Sequence, residues 1–359
     1  MTGQKTIVIG AGIIGCSLAR ALAVAGENVV VLDSARVGAG ASGASFGWIN
    51  ASFHADKAHF RLRHAGIAAW HQLEADRGAL PIHWGGAFCW EEQGAAMART
   101  GDALGQLGYG VETVTRAQLQ RRLPGLGCLP EHALHFPEEG VADVSAVTRE
   151  LAQDAASMGA RFVTGVAADA ICESRGRITG VRTAQGEIAA DRVVLAAGCG
   201  AAALAEAMGV ALPMLSRPGL LTVTRPVAPV LDTVLVTEGG EIRQLADGRI
   251  MMPTSAGHQG DSANAITEPP LEIAEAALGR IRRYFPRLSL NMEEVALAWR
   301  PVPGDGLPVV GAAGPEGLYL SVLHSGVTLA AVVAELAVRE MLEGPRSDLL
   351  GPYHPARFQ

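Results

Sequence analysis

Cysteine is scarce in this sequence, with five residues among 359, and no two of them form a C-x-x-C pair. Scattered thiols exclude a zinc cluster of the usual ligand spacing and a disulfide framework, because both need cysteines at matched positions. The pattern is typical of reduced thiols and predicts a cytoplasmic protein. The five cysteines are Cys16, Cys89, Cys128, Cys172 and Cys199.

Long apolar runs and an excess of basic charge are also missing. Residues 327–338 are mostly apolar but include Glu335, so no membrane-spanning segment is expected. Only five residues precede the first apolar run, which leaves no room for a signal peptide. Peripheral attachment to a membrane is left open. The net charge of -7, without a cluster of Lys and Arg, argues against a nucleic-acid partner.

Metal ligands at productive spacing are absent as well. His132 and His135 are three positions apart, but Pro130 and Pro137 flank them and no third ligand follows. A structural zinc ion needs four ligands. No metal site is therefore expected.

What the sequence does contain is a glycine turn at the amino terminus. An apolar run over residues 6–9 with strand character ends at Gly10, and helical periodicity begins directly afterwards. Gly10 permits a sharp turn, Gly12 lets the backbone approach a pyrophosphate, and Gly15 lets the helix pack against the strand. The helix amino terminus then faces the anion with N–H groups. A βαβ unit that binds nothing is the alternative. The turn consists of Gly10, Ala11, Gly12, Ile13, Ile14 and Gly15.

A second strand and a glycine-rich loop follow this turn. The strand over residues 28–32 ends in Asp33, where a carboxylate is placed to bind the ribose hydroxyls of an adenine dinucleotide. Small residues dominate the loop over residues 34–47, which could be a flexible linker. We predict a packed loop, because it joins a cofactor-type strand to a helix and contains Phe46.

The remaining pattern predicts an α/β chain with two domains. Helices are expected over residues 57–77, 143–158, 271–285 and 326–342, and a β-meander is expected over residues 161–195. Residues 1–50, 141–210 and 305–359 are assigned to a dinucleotide-binding domain. Residues 51–140 and 211–304 are assigned to a substrate-binding α+β domain with an antiparallel sheet.

In this order and spacing, the motifs resemble those of the D-amino acid oxidase superfamily of FAD-dependent amine oxidoreductases, which includes glycine oxidase, sarcosine oxidase and D-amino acid dehydrogenases. The resemblance covers nearly the whole chain. Its motifs are the glycine turn with Asp33, the loop over residues 38–47, Ala196-Ala197-Gly198, Arg300-Pro301, Asp305-Gly306-Leu307-Pro308-Val309-Val310-Gly311 and His324-Ser325-Gly326-Val327-Thr328-Leu329.

The resemblance implies a Rossmann-like FAD-binding domain with a β-meander. Some relatives attach the flavin through a cysteine in the late glycine segment, but residues 323–329 contain none, so noncovalent FAD is expected. The resemblance assigns cofactor binding to Gly10, Ala11, Gly12, Ile13, Ile14, Gly15, Asp33, Ser34, Ser42, Ser45, Gly47, Val166, Ala197, Gly198, Gly326, Val327 and Thr328.

The segment around Gly326 is expected beside the flavin for a physical reason too. Reduced flavin carries negative charge near N1, and a helix that begins at Gly326 would direct N–H groups and its positive dipole end toward that charge. An ordinary surface helix is the alternative interpretation.

Two side chains are implied at the substrate. Arg300 stands where the family binds the amino acid carboxylate, and a guanidinium forms two parallel hydrogen bonds with that group. His324 would lie near the flavin, with a hydrogen-bonded structural histidine as the alternative. Trp48 and His54 could line the pocket, although core packing is the simpler role for Trp48.

The implied activity is oxidation of the C–N bond of a small amino or imino acid, with hydride passing from the α-carbon to flavin N5 and hydrolysis of the resulting imine. The electron acceptor is left open among oxygen, a quinone and another electron carrier. One alternative is an FAD-binding subunit of a multi-subunit amino or imino acid dehydrogenase, with a hetero-oligomeric partner. A nicotinamide-dependent dehydrogenase is a further alternative, but it would leave the Gly326 helix unexplained.

Overall fold

The computed structural model describes residues 4–256, 263–344 and 347–358. The helices are α1 Ile13–Val24, α2 Lys57–Arg77, α3 Gly94–Gln106, α4 Arg116–Arg122, α5 Val144–Ser157, α6 Ala201–Glu206, α7 Pro270–Ile281 and α8 Gly326–Glu343. The strands of the amino-terminal half are β1 Lys5–Ile9, β2 Asn28–Asp33, β3 Trp48–Ile49, β4 Ile82–His83, β5 Ala87–Cys89, β6 Glu112–Thr115, β7 His132–Phe136, β8 Gly140–Ala142, β9 Arg161–Thr164, β10 Ala170–Ser174 and β11 Arg177–Thr183. The later strands are β12 Gly186–Ala189, β13 Arg192–Leu195, β14 Met214–Leu215, β15 Pro218–Thr224, β16 Val234–Thr237, β17 Gly240–Gln244, β18 Ile250–Pro253, β19 Met292–Trp299, β20 Val302–Pro303, β21 Val309–Ala312 and β22 Leu318–Val322.

The first sheet has six strands in the order β21-β22-β13-β1-β2-β9. Its strands from β22 to β9 run parallel, and β21 is the antiparallel edge strand. Helix α1 packs against α5 and α8 on one side of it. Because a parallel sheet is covered on both faces, its strands are nearly continuous apolar runs. The carboxyl ends of β1, β2 and β13 meet at one edge, where doubly wound sheets bind ligands.

The meander is smaller than the sequence predicts. The structure forms it from β10, β11 and β12 alone, while β9 joins the six-stranded sheet beside β2. The predicted strand over residues 188–195 is wrong, because it is two strands separated at Asp191. The Asp191 carboxylate accepts a hydrogen bond from the Lys5 backbone N–H at 2.9 Å, which ties this break to the start of β1.

The second large sheet has eight strands in the order β19-β15-β18-β17-β16-β5-β7-β6. Most of its neighbours pair antiparallel, and only β5 and β16 pair in parallel. All eight strands come from the two ranges assigned above to the substrate-binding domain. The α/β fold class with an additional antiparallel sheet is therefore confirmed, whereas the domain boundaries stay a prediction.

Long periodic segments were predicted better than short ones. The helices expected over residues 57–77, 143–158 and 326–342 correspond to α2, α5 and α8 within two residues. The helix expected over residues 271–285 ends at Ile281, and a 3₁₀ turn replaces its last turn. Residues 82–90 do not form one strand, because β4 and β5 belong to different sheets. Within the three described ranges, no helix has both the length and the apolar character that a bilayer crossing requires.

Candidate active site

The glycine turn connects β1 to α1 at the carboxyl edge of the six-stranded sheet. Gly10 has φ +108°, and a Cβ there would lie 2.4 Å from the Ala196 carbonyl oxygen. A Cβ on Gly15 would lie 1.8 Å from the Gly10 carbonyl oxygen. No side chain fits at either position, so the sharp turn and the close helix–strand packing inferred from the sequence are confirmed.

Asp33 ties the turn to the end of β2. Its carboxylate accepts a hydrogen bond from the Ala11 N–H at 2.7 Å and another from the Ala35 N–H at 2.8 Å. The Val166 N–H donates to the Asp33 carbonyl at 3.0 Å, which holds the segment after β9 beside the same carboxylate. The acid at the end of β2 therefore fixes the conformation of the turn besides facing the cavity.

The loop over residues 34–47 packs on the turn as the sequence predicts. The Ser42 hydroxyl accepts a hydrogen bond from the Ile13 N–H at 2.9 Å, and the Gly38 N–H donates to the Ala11 carbonyl at 2.9 Å. A Cβ on Gly43 would lie 2.5 Å from the Gly38 carbonyl. One N–H at the start of α1 is thus satisfied by Ser42 rather than left for an anion.

The first turn of α8 is held by α2 and by the segment after β3. Trp70 donates from its indole N–H to the Val327 carbonyl at 2.8 Å, and the Thr328 hydroxyl oxygen accepts from the Asn50 N–H at 3.2 Å. Gly66 lets the two helices meet, because a Cβ there would lie 2.5 Å from the Thr328 carbonyl. The amino terminus of α8 is therefore fixed before any ligand binds.

Ser325 precedes α8 in a left-handed conformation, with φ +59°. Its hydroxyl accepts a hydrogen bond of 2.6 Å from Arg63, which lies on α2 and is 3% exposed. Arg63 also donates to the carbonyl and to the side-chain oxygen of Asn50. Burial lowers the pKa of Arg63 to about 10, opposed by the charge of Glu139, so the guanidinium stays positive at neutral pH.

One cavity of about 830 Å³ joins these parts, within the size range of ligand pockets. It extends from Asp33 past the glycine turn and the start of α8 to Arg300. The predicted residues that line it are Gly10, Gly12, Ile13, Ile14, Asp33, Ser34, Ser42, Ser45, Gly47, Ala197, Gly198, Arg300, His324, Gly326, Val327 and Thr328. Ala11, Gly15 and Val166 lie behind this lining, where they shape the backbone.

The end of the cavity near Arg300 is formed by the eight-stranded sheet. Gly219 makes room for Arg300, because a Cβ there would lie 3.4 Å from the arginine Cδ and Nε. Leu297 and Trp299 on β19 line the same end and are each 49% exposed, so they mark its mouth. Glu241 on β17 also lines the cavity and is 7% exposed.

Sequence reasoning missed Arg63 and Glu241. Arg63 carries a usable signal, since it lies three positions after Phe60 and four before Ile67, on the apolar stripe of α2. A charged residue on a buried stripe marks a polar site inside the protein. Glu241 carries no comparable signal, because β17 was not predicted.

A second cavity of about 730 Å³ adjoins the first. The two share Arg63, His324 and Ser325 as wall residues, so His324 lies between them. His54 lines only the second cavity, whereas Trp48 is buried and lines the first. His59 lies in the second wall, and burial lowers its pKa to about 4, which keeps its imidazole neutral.

Metal ligands do not converge within the described ranges, where no group of three or more His, Cys, Asp and Glu side chains could hold an ion. His135 lies 3.1 Å from the Glu112 carboxylate on the neighbouring strand. This contact accounts for His135 as part of a surface ion pair.

Curated relatives cover this chain from end to end. One of the two subunits most similar in length, from the opine oxidase of Rhizobium meliloti, is 27% identical, with 98% of this chain and 96% of that protein covered. Glycine oxidase of Pseudomonas aeruginosa is 26% identical, with 98% and 99% covered.

Solved structures share the fold at lower identity. Glycine oxidase from Geobacillus kaustophilus superposes with a TM-score of 0.85 at 21% identity, and 99% of each chain is covered. L-proline dehydrogenase from P. horikoshii superposes with a TM-score of 0.88 at 20% identity, with 99% of this chain and 98% of that chain covered. These similarities confirm the Rossmann-like architecture.

A family model gives the assignment. The model described as FAD dependent oxidoreductase, DAO, matches residues 5–340, which is most of the sequence. This match and the relatives above confirm the resemblance stated from the motifs. The chain belongs to the DAO family of FAD-dependent oxidoreductases.

Proposed function

We propose that this chain binds FAD in the 830 Å³ cavity and oxidises the C–N bond of a small amino or imino acid. One observation carries the proposal: Arg300 lines the same cavity as the glycine turn and the amino terminus of α8. A carboxylate-binding cation and two helix amino termini thus face one enclosed space. The family supplies the cofactor, and the cavity supplies a place for its substrate.

The residues present fit FAD. Gly10, Gly12 and Gly15 bring bare backbone to the cavity at the start of α1, which suits a pyrophosphate. Asp33 faces the cavity at the end of β2, where it would accept from ribose hydroxyls. The other residues assigned to the cofactor are Ala11, Ile13, Ile14, Ser34, Ser42, Ser45, Gly47, Val166, Ala197, Gly198, Gly326, Val327 and Thr328.

Arg300 would hold the substrate by its carboxylate. Its planar guanidinium offers two parallel N–H donors, and Gly219 leaves the space in which it lies. The apolar residues Leu221, Leu297 and Leu323 line the cavity and would exclude water around the bound amine.

The bound FAD supplies the hydride acceptor. The chain's contribution is orientation of the α-carbon through Arg300 and donation of N–H groups at the start of α8 toward negative charge. We assign no general base. His324, on the wall between the two cavities, is the remaining assigned residue, in contact with the substrate or the cofactor.

Noncovalent attachment of the flavin fits the cysteines of this cavity. Within the part of the chain that the structure describes, Cys199 is the cysteine in its lining. Burial raises the pKa of the Cys199 thiol, and its Sγ contacts the Trp299 carbonyl at 3.4 Å. A thiol kept protonated is a poor nucleophile. Release of free FAD on acid denaturation would agree with this assignment.

The test is anaerobic reduction of the protein-bound flavin. The purified protein is expected to be yellow, and its flavin absorbance should bleach with one class among D- and L-amino acids, N-methyl amino acids and cyclic imino acids. Arg300→Ala should raise KM for carboxylate substrates about 100-fold or more, because the binding of the carboxylate is lost, while FAD stays bound.

Two outcomes would contradict the proposal. A protein that cannot be reconstituted with FAD would remove the cofactor. An unchanged KM in Arg300→Ala would remove Arg300 from the substrate site. Hydrogen peroxide formed in air would indicate an oxidase, whereas turnover only with a dye or a quinone would indicate a dehydrogenase.

A second candidate is the same chemistry within a multi-subunit complex. It is favoured by the similarity to the opine oxidase polypeptide, which is named as one subunit of that enzyme. In that case the native protein should migrate as a stable hetero-oligomer, and the isolated chain should pass electrons slowly to any small acceptor. Native mass measurement on extract from the source organism distinguishes the two.

A further inference from the structure

Glu241 is an acidic side chain inside the candidate substrate site. It lines the cavity that contains Arg300 and is almost completely buried. Removing a carboxylate from water is costly, so such a group persists where positive charge or N–H donors can approach it. The fold therefore presents two opposite charges to whatever occupies this end of the cavity.

The register of the eight-stranded sheet places these charges apart. Arg243 on β17 pairs with Met251 on β18, and the same antiparallel register sets Glu241 opposite Pro253. Pro253 in turn pairs with Leu221 on β15. Glu241, Pro253 and Leu221 thus form one row across three strands, about 10 Å wide, and all three line the cavity.

Arg300 lies beyond the far corner of this row. It directly follows Trp299, which pairs with Pro218 on β15, three residues before Leu221. Strand spacing and rise put the Cα atoms of Arg300 and Glu241 about 18 Å apart. The arginine side chain extends back over Gly219 toward Leu221, which shortens the gap between the two charges.

The neighbouring cation Arg243 does not account for Glu241. Arg243 donates to the Ala142 carbonyl at 2.8 Å. Its pKa is lowered to about 10 by burial, and the charge that opposes this shift comes from Asp143. Glu241 is thus not the anion that stabilises Arg243.

Resting on the proposed function, we infer that Glu241 is a specificity-determining residue that selects amino acids with a positively charged side chain. The α-carboxylate binds Arg300, the aliphatic stem lies over the apolar floor of Leu221 and Pro253, and the terminal ammonium or guanidinium binds Glu241. A substrate of this class contacts both charges at once.

Binding of ligands that cannot react tests the inference independently of turnover. Racemic 2-methylornithine and 2-methylnorleucine lack an α-hydrogen and differ in a terminal ammonium against a methyl group. Titrated into the oxidised holoprotein by calorimetry, 2-methylornithine should bind roughly 30-fold more tightly, as expected for a buried charge pair. Glu241→Gln should abolish this preference, and Glu241→Asp should retain part of it.

Glu238→Gln is the matched control, since Glu238 is exposed, pairs with Arg283 and lies outside the cavity lining. It should keep the full preference. Equal affinity of the wild type for both ligands would overturn the inference, as would a preference that survives in Glu241→Gln.

The small ligand 2-methylalanine separates this failure from failure of the proposed function. If it binds and Arg300→Ala weakens it while the cationic ligand has no advantage, the carboxylate site stands and the role of Glu241 falls. If neither 2-methylalanine nor 2-methylornithine binds, both proposals are contradicted. For turnover, the kcat/KM ratio of arginine to citrulline should fall at least tenfold in Glu241→Gln.

Discussion

Glu139 is a carboxyl group with no exposed surface. One of its oxygens accepts from the Ser52 N–H at 3.1 Å and from the Tyr109 hydroxyl at 2.9 Å. Burial nevertheless raises the pKa of Glu139 to about 7, although these hydrogen bonds and the charge of Arg63 oppose the shift. The folded protein therefore holds a proton at Glu139 that the unfolded chain releases near pH 4.5.

Stability should consequently depend on pH through Glu139. Since its pKa is higher in the folded state, the stabilisation from Glu139 is complete below pH 4.5 and is lost as pH rises through about 7. In urea unfolding at pH 5 and pH 8, the wild type should lose about 2 to 3 kcal/mol relative to Glu139→Gln. Parallel pH dependence of the two proteins would show that Glu139 does not titrate in this range.

At the residue scale, the sequence predicts positions whose chemistry is local. Gly10 and Gly15 are recognisable because turn and helix follow one another in the chain, and the structure shows why neither accepts a side chain. Arg63 and Glu241 depend on strands and helices distant in sequence. Their burial follows from packing between elements, which no short motif encodes.

At the scale of elements, the contact between β1 and α1 is closest at Gly15. A methyl group there would overlap the Gly10 carbonyl, and backbone cannot move aside as a flexible side chain can. Gly15→Ala should lower the free energy of unfolding by about 3 kcal/mol or more and should release FAD. Denaturant unfolding and the flavin absorbance after gel filtration measure the two effects.

Gly105 in α3 provides the matched comparison. It is also a helical glycine, but a Cβ there meets no atom within 4 Å. Gly105→Ala should raise stability by roughly 0.5 to 1 kcal/mol through helix propensity and leave the flavin content unchanged. Similar losses in both variants would show that the Gly15 contact is not special.

The errors in predicting elements have a common cause. Periodicity identified α2, α5 and α8, because a buried stripe repeats over many residues. It did not distinguish β9 and β13, which join the six-stranded sheet, from the meander strands that lie between them in sequence. An apolar run identifies a strand, whereas its partner is decided by the rest of the fold.

At the scale of the whole molecule, three separated segments contribute to one cofactor cavity. Because a ligand stabilises every segment that it contacts in the folded state, FAD should raise the thermal midpoint of the apoprotein. At 100 times its Kd, FAD adds about 2.7 kcal/mol, and NAD should add nothing measurable. A shift with NAD and none with FAD would instead support the nicotinamide-dependent alternative.

The order of strands in the six-stranded sheet also constrains how the protein is made. β1 is flanked by β2, which the ribosome releases early, and by β13, which follows about 180 residues later. At about 5–20 residues per second, β1 waits roughly 10 to 40 s for that partner, and β22 and α8 arrive later still. One edge of β1 is exposed during this interval, which makes the nascent chain a substrate for chaperones that bind apolar strands. Capture of FAD is thereby delayed until synthesis is nearly finished.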